Sequence, residues 1–392
     1  MSIAIPIHRA AISSGGAPSW VPRLDGIAAD LLFDFAGRRA WQGGRPATDA
    51  SLVSVTRATT TAYGRSASGI YVPYGANVLR YDDVIGGALI EEARTNDGLW
   101  SRDLTNAAWV KVGCTAALDQ TGADGAANAA TRLTATAANA TVLQTLVKAS
   151  AQRTASFSLK RLTGSGNILI TIDGGVTWTP QTVTTDWTRA AVTQTLANPV
   201  FGVQIASSGD QIAVDFTQNE AGTFATSPMP TTTAAASRAT DVLLCTWPAA
   251  LQGLPAYTLA WEGLFFANTP SGNQYATQMS DGTTSNIINL YKPTTNVAQF
   301  SRTPPGGGNG GVAAITPGVS FKLALAATSN DVAMLQTGQA ARTALGVGFP
   351  AGISQCNIGT TLSGTFAQNG VCKSVALWGS RRTNAAMAGW VG

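Results

Sequence analysis

From residue 154 onward, apolar side chains recur at every second position. "TASFSLKRL" places Ala155, Phe157 and Leu159 on one side of an extended chain, with Thr154, Ser156, Ser158 and Lys160 on the other. "NILITIDGG" does the same through Ile168, Ile170 and Ile172, then stops at an Asp-Gly turn. "FGVQIA" and "DQIAVDF" continue with Phe201, Val203 and Ile205, then Ile212, Val214 and Phe216. A period of two is the signature of strands that bury one face. Strands spaced every 10–15 residues, each with one apolar side, must close on a second sheet. The pattern restarts after the Pro/Thr/Ala stretch "SPMPTTTAAASRATD" at 227–241. There it runs through Tyr257, Leu259 and Trp261, through Val319, Phe321, Leu323 and Leu325, and through Val371, Val375 and Leu377. The prediction is all-β: two consecutive antiparallel β-sandwiches over 99–235 and 236–392. Trp109, Trp187 and Trp261 fall within strand patterns and are read as core. Thr383 is a candidate cap for one or two closing helical turns.

The first 98 residues read differently. Ile3, Ile5 and Ile7 make a strand-like strip, followed by "SSGGAPS" and Trp20. Such a strip is too short to fold alone, so residues 1–24 are predicted to be an arm. It either docks on a partner surface or folds back on its own chain. Residues 25–98 hold short strand candidates and few apolar runs, which predicts an irregular module leaning on its neighbours.

Composition supports the strand reading. Charged residues make up 12% of the chain, against the usual ~25%, and 42 Gly and 17 Pro punctuate the sequence. The net charge of +4 is spread singly, with no basic run, so no nucleic-acid partner is expected. No apolar stretch approaches the ~20 residues that span a bilayer, so no membrane insertion is expected. The N-terminus lacks a signal-peptide pattern, which predicts folding in a cytoplasm. Cys114, Cys245, Cys356 and Cys372 are too far apart for a zinc motif. Buried free thiols are favoured over a Cys356–Cys372 disulfide in a reducing compartment.

The charges that do occur concentrate in "GGALIEEARTN", residues 86–96. Neighbouring residues on a strand face opposite ways, so Glu91 and Glu92 cannot flank one glycosidic bond. Glu92 and Arg94 share a face, ~7 Å apart along the strand. With Arg57 and Asn96 they are read as a structural hub, with Glu92→Ala predicted to lower stability markedly. The single histidine, His8, lies in the arm, remote from any nucleophile it could activate. The Gly-rich loop "TPPGGGNGG" at 303–311 lacks the lysine and helix of a phosphate cradle. No catalytic residue, cofactor or metal site is predicted; Asp281 and Asp331 are weak Ca²⁺ candidates. Candidate sugar-stacking aromatics are Trp178, with Asp173 near it, and Tyr291.

"SVTRATTTAYGRSASGIYVPYGANVLRYDDVIGGALIEEARTN" followed by "DLTNAAWVKVG" closely resembles a segment of bacteriophage tail-fibre and other virion surface proteins, in which a "LLIEEARTN" run precedes the display domains. Downstream, residues 99–235 resemble their carbohydrate-binding-module-like jelly roll. Residues 236–392 are similar to their laminin-G or concanavalin A-like sandwich. The resemblance covers residues 50–392. It implies a structural protein of a tailed phage virion surface, docked by its N-terminal region on other virion proteins (collar, tail, baseplate or capsid). It further implies a homo-oligomer, with a trimer as first choice, and a host-surface glycan as candidate ligand. A purely architectural role is the alternative. A polysaccharide depolymerase would need a paired-carboxylate cleft.

Overall fold

The computed structural model describes residues 16–59, 62–267, 272–295, 297–303, 310–345 and 349–392. Nearly all of its regular structure is β-strand, arranged as two sandwiches.

The first sandwich is contiguous in sequence. One five-stranded sheet runs Val110–Val112, Ala140–Thr145, Val200–Ile205, Ile168–Thr171, Thr179–Gln181. The facing sheet runs Cys114–Gln120, Ala130–Ala135, Gln211–Ala221, Ala151–Thr163, Thr188–Leu196. The alternating residues Ala155, Phe157, Leu159, Ile168 and Ile170 point between the sheets and are fully buried. Trp109 and Phe157 pack on Phe201 at centroid distances of 5.2 and 6.0 Å.

Two details depart from simple alternation. The polar side of the strand Ala151–Thr163 is also buried, with Ser156 and Ser158 at 0 and 1% exposure. The hairpin Ala62–Arg65/Tyr71–Tyr74 lies over that side. Phe216 faces this hairpin rather than the sandwich interior. A bulge opposite Phe157 shifts the register, so Ser156 pairs with Gln218 and Ser158 with Asp215. Phe216 itself takes φ +45° and packs on Tyr63 at 5.2 Å, with half-buried Trp187 in the same outer cluster.

The second sandwich is not contiguous: residues 25–98, expected as an irregular module leaning on its neighbours, contribute strands to it. Its larger sheet has twelve strands, and its central strand Gly370–Trp378 pairs on one side with Ala256–Phe265. The other side of that strand is completed by two N-terminal segments. Leu31–Asp34 takes one half (Leu31↔Leu377, Phe33↔Val375), and Gly87–Ile90 takes the other (Ala88↔Cys372, Ile90↔Gly370). In the opposing seven-stranded sheet, Ser54–Thr56 forms the edge beside Val242–Thr246. Leu31, Phe33, Phe35 and Ile90 therefore belong to the same core as Trp247, Trp261 and Leu290. A sheet strand left unpaired exposes a row of amide groups, and the N-terminal segments remove that exposure.

A register shift at Glu262/Gly263 sends Val371 to a small outer cluster and Cys372 into the core. Val319 lies in a turn before its strand and is 54% exposed. Cys245, Cys356 and Cys372 are buried free thiols, and Cys114 is a half-buried one. Burial pushes the Cys245 thiol up to about 12 and the Cys114 thiol up to about 11.

The outer face of the large sheet carries the helix Asn384–Val391, capped by Thr383, whose Oγ1 accepts from the Ala386 amide at 3.1 Å. Trp20 packs here, edge-on to Trp41 at 6.3 Å, with the Arg39 guanidinium 4.4 Å from its ring centroid. Trp20 is thus half-buried against its own chain. Ile3, Ile5, Ile7 and His8 lie outside the described residues.

Candidate functional site

The "GGALIEEARTN" run crosses the junction between the sandwiches. Gly87 must be glycine, because a Cβ there would lie 2.4 Å from the Cys372 carbonyl oxygen. Beyond Ile90 the chain leaves the large sheet, and Arg94–Asn96 pairs with Ala236–Arg238. Asn96 is fully buried. Its Nδ2 donates to the Thr217 and Met229 carbonyls at 3.0 and 2.9 Å, while its Oδ1 accepts from the Gly98 and Asn219 amides at 3.0 Å each.

Glu91 sits at the centre of a buried ion network. Arg57, Arg80, Glu91, Arg238 and Asp241 are each 1% exposed. Arg57 Nη1 reaches Asp241 at 2.7 Å, Arg80 Nη2 reaches Glu91 at 3.0 Å and also bonds Asp241, and Arg238 Nη1 reaches Glu91 at 3.2 Å. Ser227, at the end of the first sandwich, donates to Glu91 from its amide and hydroxyl at 2.7 and 2.6 Å. Burial alone would raise both carboxyls; the arginines outweigh it and hold Glu91 and Asp241 below their ordinary values. The network clamps four chain segments, at 57–80, 91, 227 and 238–241. Three guanidinium groups face two carboxylates, leaving a net charge of +1.

Glu92 points the other way, and the two carboxylates do not converge. Its side chain is 32% exposed and pairs with Arg94. The expected stabilising role of Glu92 therefore shifts to Glu91, which sequence alternation separates from it without saying which is inside.

Glu92 and Arg94 line a polar cleft of about 330 Å³ between the sandwiches, together with Asn273, Gln274, Asn369 and Phe366. Gly222, at φ +141°, leaves room for Arg94, since a Cβ there would collide with the guanidinium. Asn369 Oδ1 accepts from the Glu92 amide at 2.8 Å and fixes the floor. Gln274 is 1% exposed; its Nε2 donates to the Gln368 carbonyl at 2.7 Å, and its Oε1 has no hydrogen-bond partner. Phe366 is 49% exposed and held at φ +56°, a region costly for an aromatic residue. It heads an aromatic row: Phe366 to Tyr275 at 6.1 Å, then Tyr275 stacked on Tyr291 at 5.4 Å.

A second cleft, about 300 Å³, opens on the Glu91 side. Its apolar walls are Tyr71, Leu89, Phe224 and Phe266, and its polar groups include Arg65 and Arg189. Phe224 stands between the two clefts, with Arg94 5.2 Å from its ring centroid.

The aromatics singled out from sequence fall elsewhere. Tyr291 is buried at 7% and bonded through its hydroxyl to Gln299 at 3.0 Å, so it presents no face to a ligand. Trp178 is half-buried against Gly175 and lines neither cleft. Asp173 accepts from Thr171 Oγ1 at 2.8 Å and the Thr177 amide at 3.0 Å, which orders its own turn. Asp281 likewise bonds Thr283 and Asn286, and Asp331 pairs with Arg381 at 2.6 Å. Among the described residues no group of His, Cys, Asp or Glu is placed to hold a metal. Phe366 was missed because "SGTFAQNG" carries no alternation. Its signal was an aromatic flanked by turn-forming residues.

No protein-family model matches the chain, and no curated protein sequence matches it. Solved structures with similar folds include the CBM40 of Ruminococcus gnavus IT-sialidase, at 16% identity and a TM-score of 0.32 over 36% of this chain and 84% of that one. The tandem CBM22-1-CBM22-2 domain of Paenibacillus barcinonensis Xyn10C gives 9% identity and a TM-score of 0.26, covering 74% and 98%. Domains LG4-5 of the mouse laminin alpha1 chain give 10% and 0.25, covering 64% and 88%. These neighbours are of the two kinds named by the sequence resemblance.

Proposed function

We propose that this protein is a surface component of a tailed bacteriophage virion that binds host glycan in the cleft between its sandwiches. The virion assignment is supported by the resemblance of residues 50–392 described above. The glycan reading rests chiefly on Phe366, a strained, half-exposed ring on the wall of an amide-lined cleft. Exposed rings stack on the apolar faces of sugars, and nearby amides and carboxylates meet the hydroxyls. With Glu92 and Arg94 neutralising each other, the cleft suits an uncharged saccharide.

A glycan array with the intact chain tests this. Binding should appear for the wild type, and Phe366→Ala should weaken it by about tenfold or more while the unfolding transition holds. No glycan signal, or one that ignores Phe366→Ala, would leave the architectural role as the better reading. Electron microscopy of virions labelled at this chain tests the location. Edge strands Val110–Val112 and Cys114–Gln120 expose Val110, Val112 and Leu118 at 62, 62 and 39%, which supports burial against other copies. We propose a homotrimer. Light scattering should give three chains per particle, against 40.2 kDa for one.

A further inference from the structure

The second cleft differs from the first in its charge. Of its two arginines, Arg65 is neutralised by Asp82 at 2.8 Å. Arg189 meets only neutral acceptors: its Nη1 donates to the Phe216 carbonyl and to Ser158 Oγ at 3.4 Å, and its Nη2 donates to Ser156 Oγ at 2.8 Å. Its Nε has no partner but is itself buried, so the donor left for a ligand is the one uncommitted Nη2 hydrogen. The acids in the lining are already taken. Asp82 belongs to Arg65, and Glu91 belongs to a network that keeps one surplus positive charge. Of the remaining acids nearby, Asp124 and Asp215 lie beyond Phe216 and share Arg102, while Glu220 accepts from the amide and hydroxyl of the lining residue Thr226 and lies 4.0 Å from Arg94. Arg189 is thus a partly buried cation without a counter-charge, facing a cavity with rings of Tyr71, Phe224 and Phe266 on its walls.

We propose that this cleft binds a carboxylate-bearing monosaccharide unit, with Arg189 anchoring the acid group and the aromatic walls receiving the sugar's apolar face. The uncommitted Nη2 hydrogen can donate to one carboxylate oxygen, and a hydrogen bond charged on both sides is stronger than a neutral one. About 300 Å³ is room for one pyranose ring with its substituents. The site is separate from the uncharged-saccharide cleft, since the two linings share no residue.

Isothermal titration of the full chain with sodium glucuronate tests the proposal, with glucose as the uncharged control. Glucuronate should bind saturably and glucose about tenfold more weakly or worse. Added salt should weaken only the glucuronate isotherm. Arg189→Gln should reduce glucuronate affinity about tenfold or more. Because Arg189 also holds Phe216 and Ser156, Ala225→Leu provides a second test: it fills the cavity and removes no hydrogen bond. It should abolish binding with the unfolding transition retained. The proposal is overturned if glucuronate does not bind, if glucose binds equally well, or if folded Ala225→Leu still binds.

Discussion

Phe157 and Phe33 are both buried between facing sheets, at 0 and 2% exposure, yet their strands reach those cores by different routes. Phe157 is surrounded by residues between 104 and 214, all from one run of chain. Phe33 packs with residues from 247 to 377, more than two hundred positions away. The first sandwich can close its sheets unaided. The second lacks part of its central pairing until Leu31–Asp34 and Gly87–Ile90 add to the strand Gly370–Trp378. The lesson is that the N-terminal region holds the sandwiches together: one hairpin covers the first, several strands complete the second, and the Glu91 network locks the joint.

The sharpest way to break this comparison is to cut the chain. Residues 99–235 expressed alone should give a cooperative unfolding transition by circular dichroism, and residues 236–392 alone should give none. A folded 236–392 fragment would refute the shared-sheet account. Next in size come single core truncations. Phe33→Ala and Phe157→Ala should each cost about 3–5 kcal/mol in urea denaturation. Hydrogen exchange should place the first loss in the 236–392 sandwich and the second in the 99–235 sandwich. Glu91→Ala belongs to the same range, about 3–5 kcal/mol, because it leaves buried arginines unopposed.

Acid should act on the joint before it acts on the first core. Glu91 and Asp241 have folded values below their ordinary 4.5 and 3.8. Their stabilisation is complete above about pH 4.5 and is lost as pH falls through the lower folded values. Calorimetry below pH 4.5 should therefore show the second sandwich losing more stability than the first, whose lowered carboxyls at Asp119, Asp124 and Asp173 lie outside the buried network. Identical acid shifts of the two transitions would count against the clamp. Glu92→Ala should have the smallest effect, about 0.2–1 kcal/mol, since its pair with Arg94 is partly exposed.

The first sandwich was largely legible from its residues. Ala155, Phe157, Leu159 and the three alternating isoleucines fall where a period of two puts them. Phe216 did not, because a bulge in its own strand, opposite Phe157, reversed its direction, and alternation has no term for an extra residue in the register. The candidate clefts were less legible. Tyr291 is the buried end of a row of rings whose exposed end is Phe366. Arg189 and Ala225 gave no local sign at all, because the hairpin that walls their cleft lies more than a hundred residues upstream.

By itself, the amino-acid sequence determined the β-strands, the apolar side of most of them, and the opposite facing of Glu91 and Glu92. Each of these depends on steric and polar relations between near neighbours in the chain. The tertiary structure alone decided which glutamate is buried, which strands complete the second sandwich, and where the two clefts open. Those outcomes depend on contacts between segments far apart in sequence, where each surface is settled only once its partner is in place.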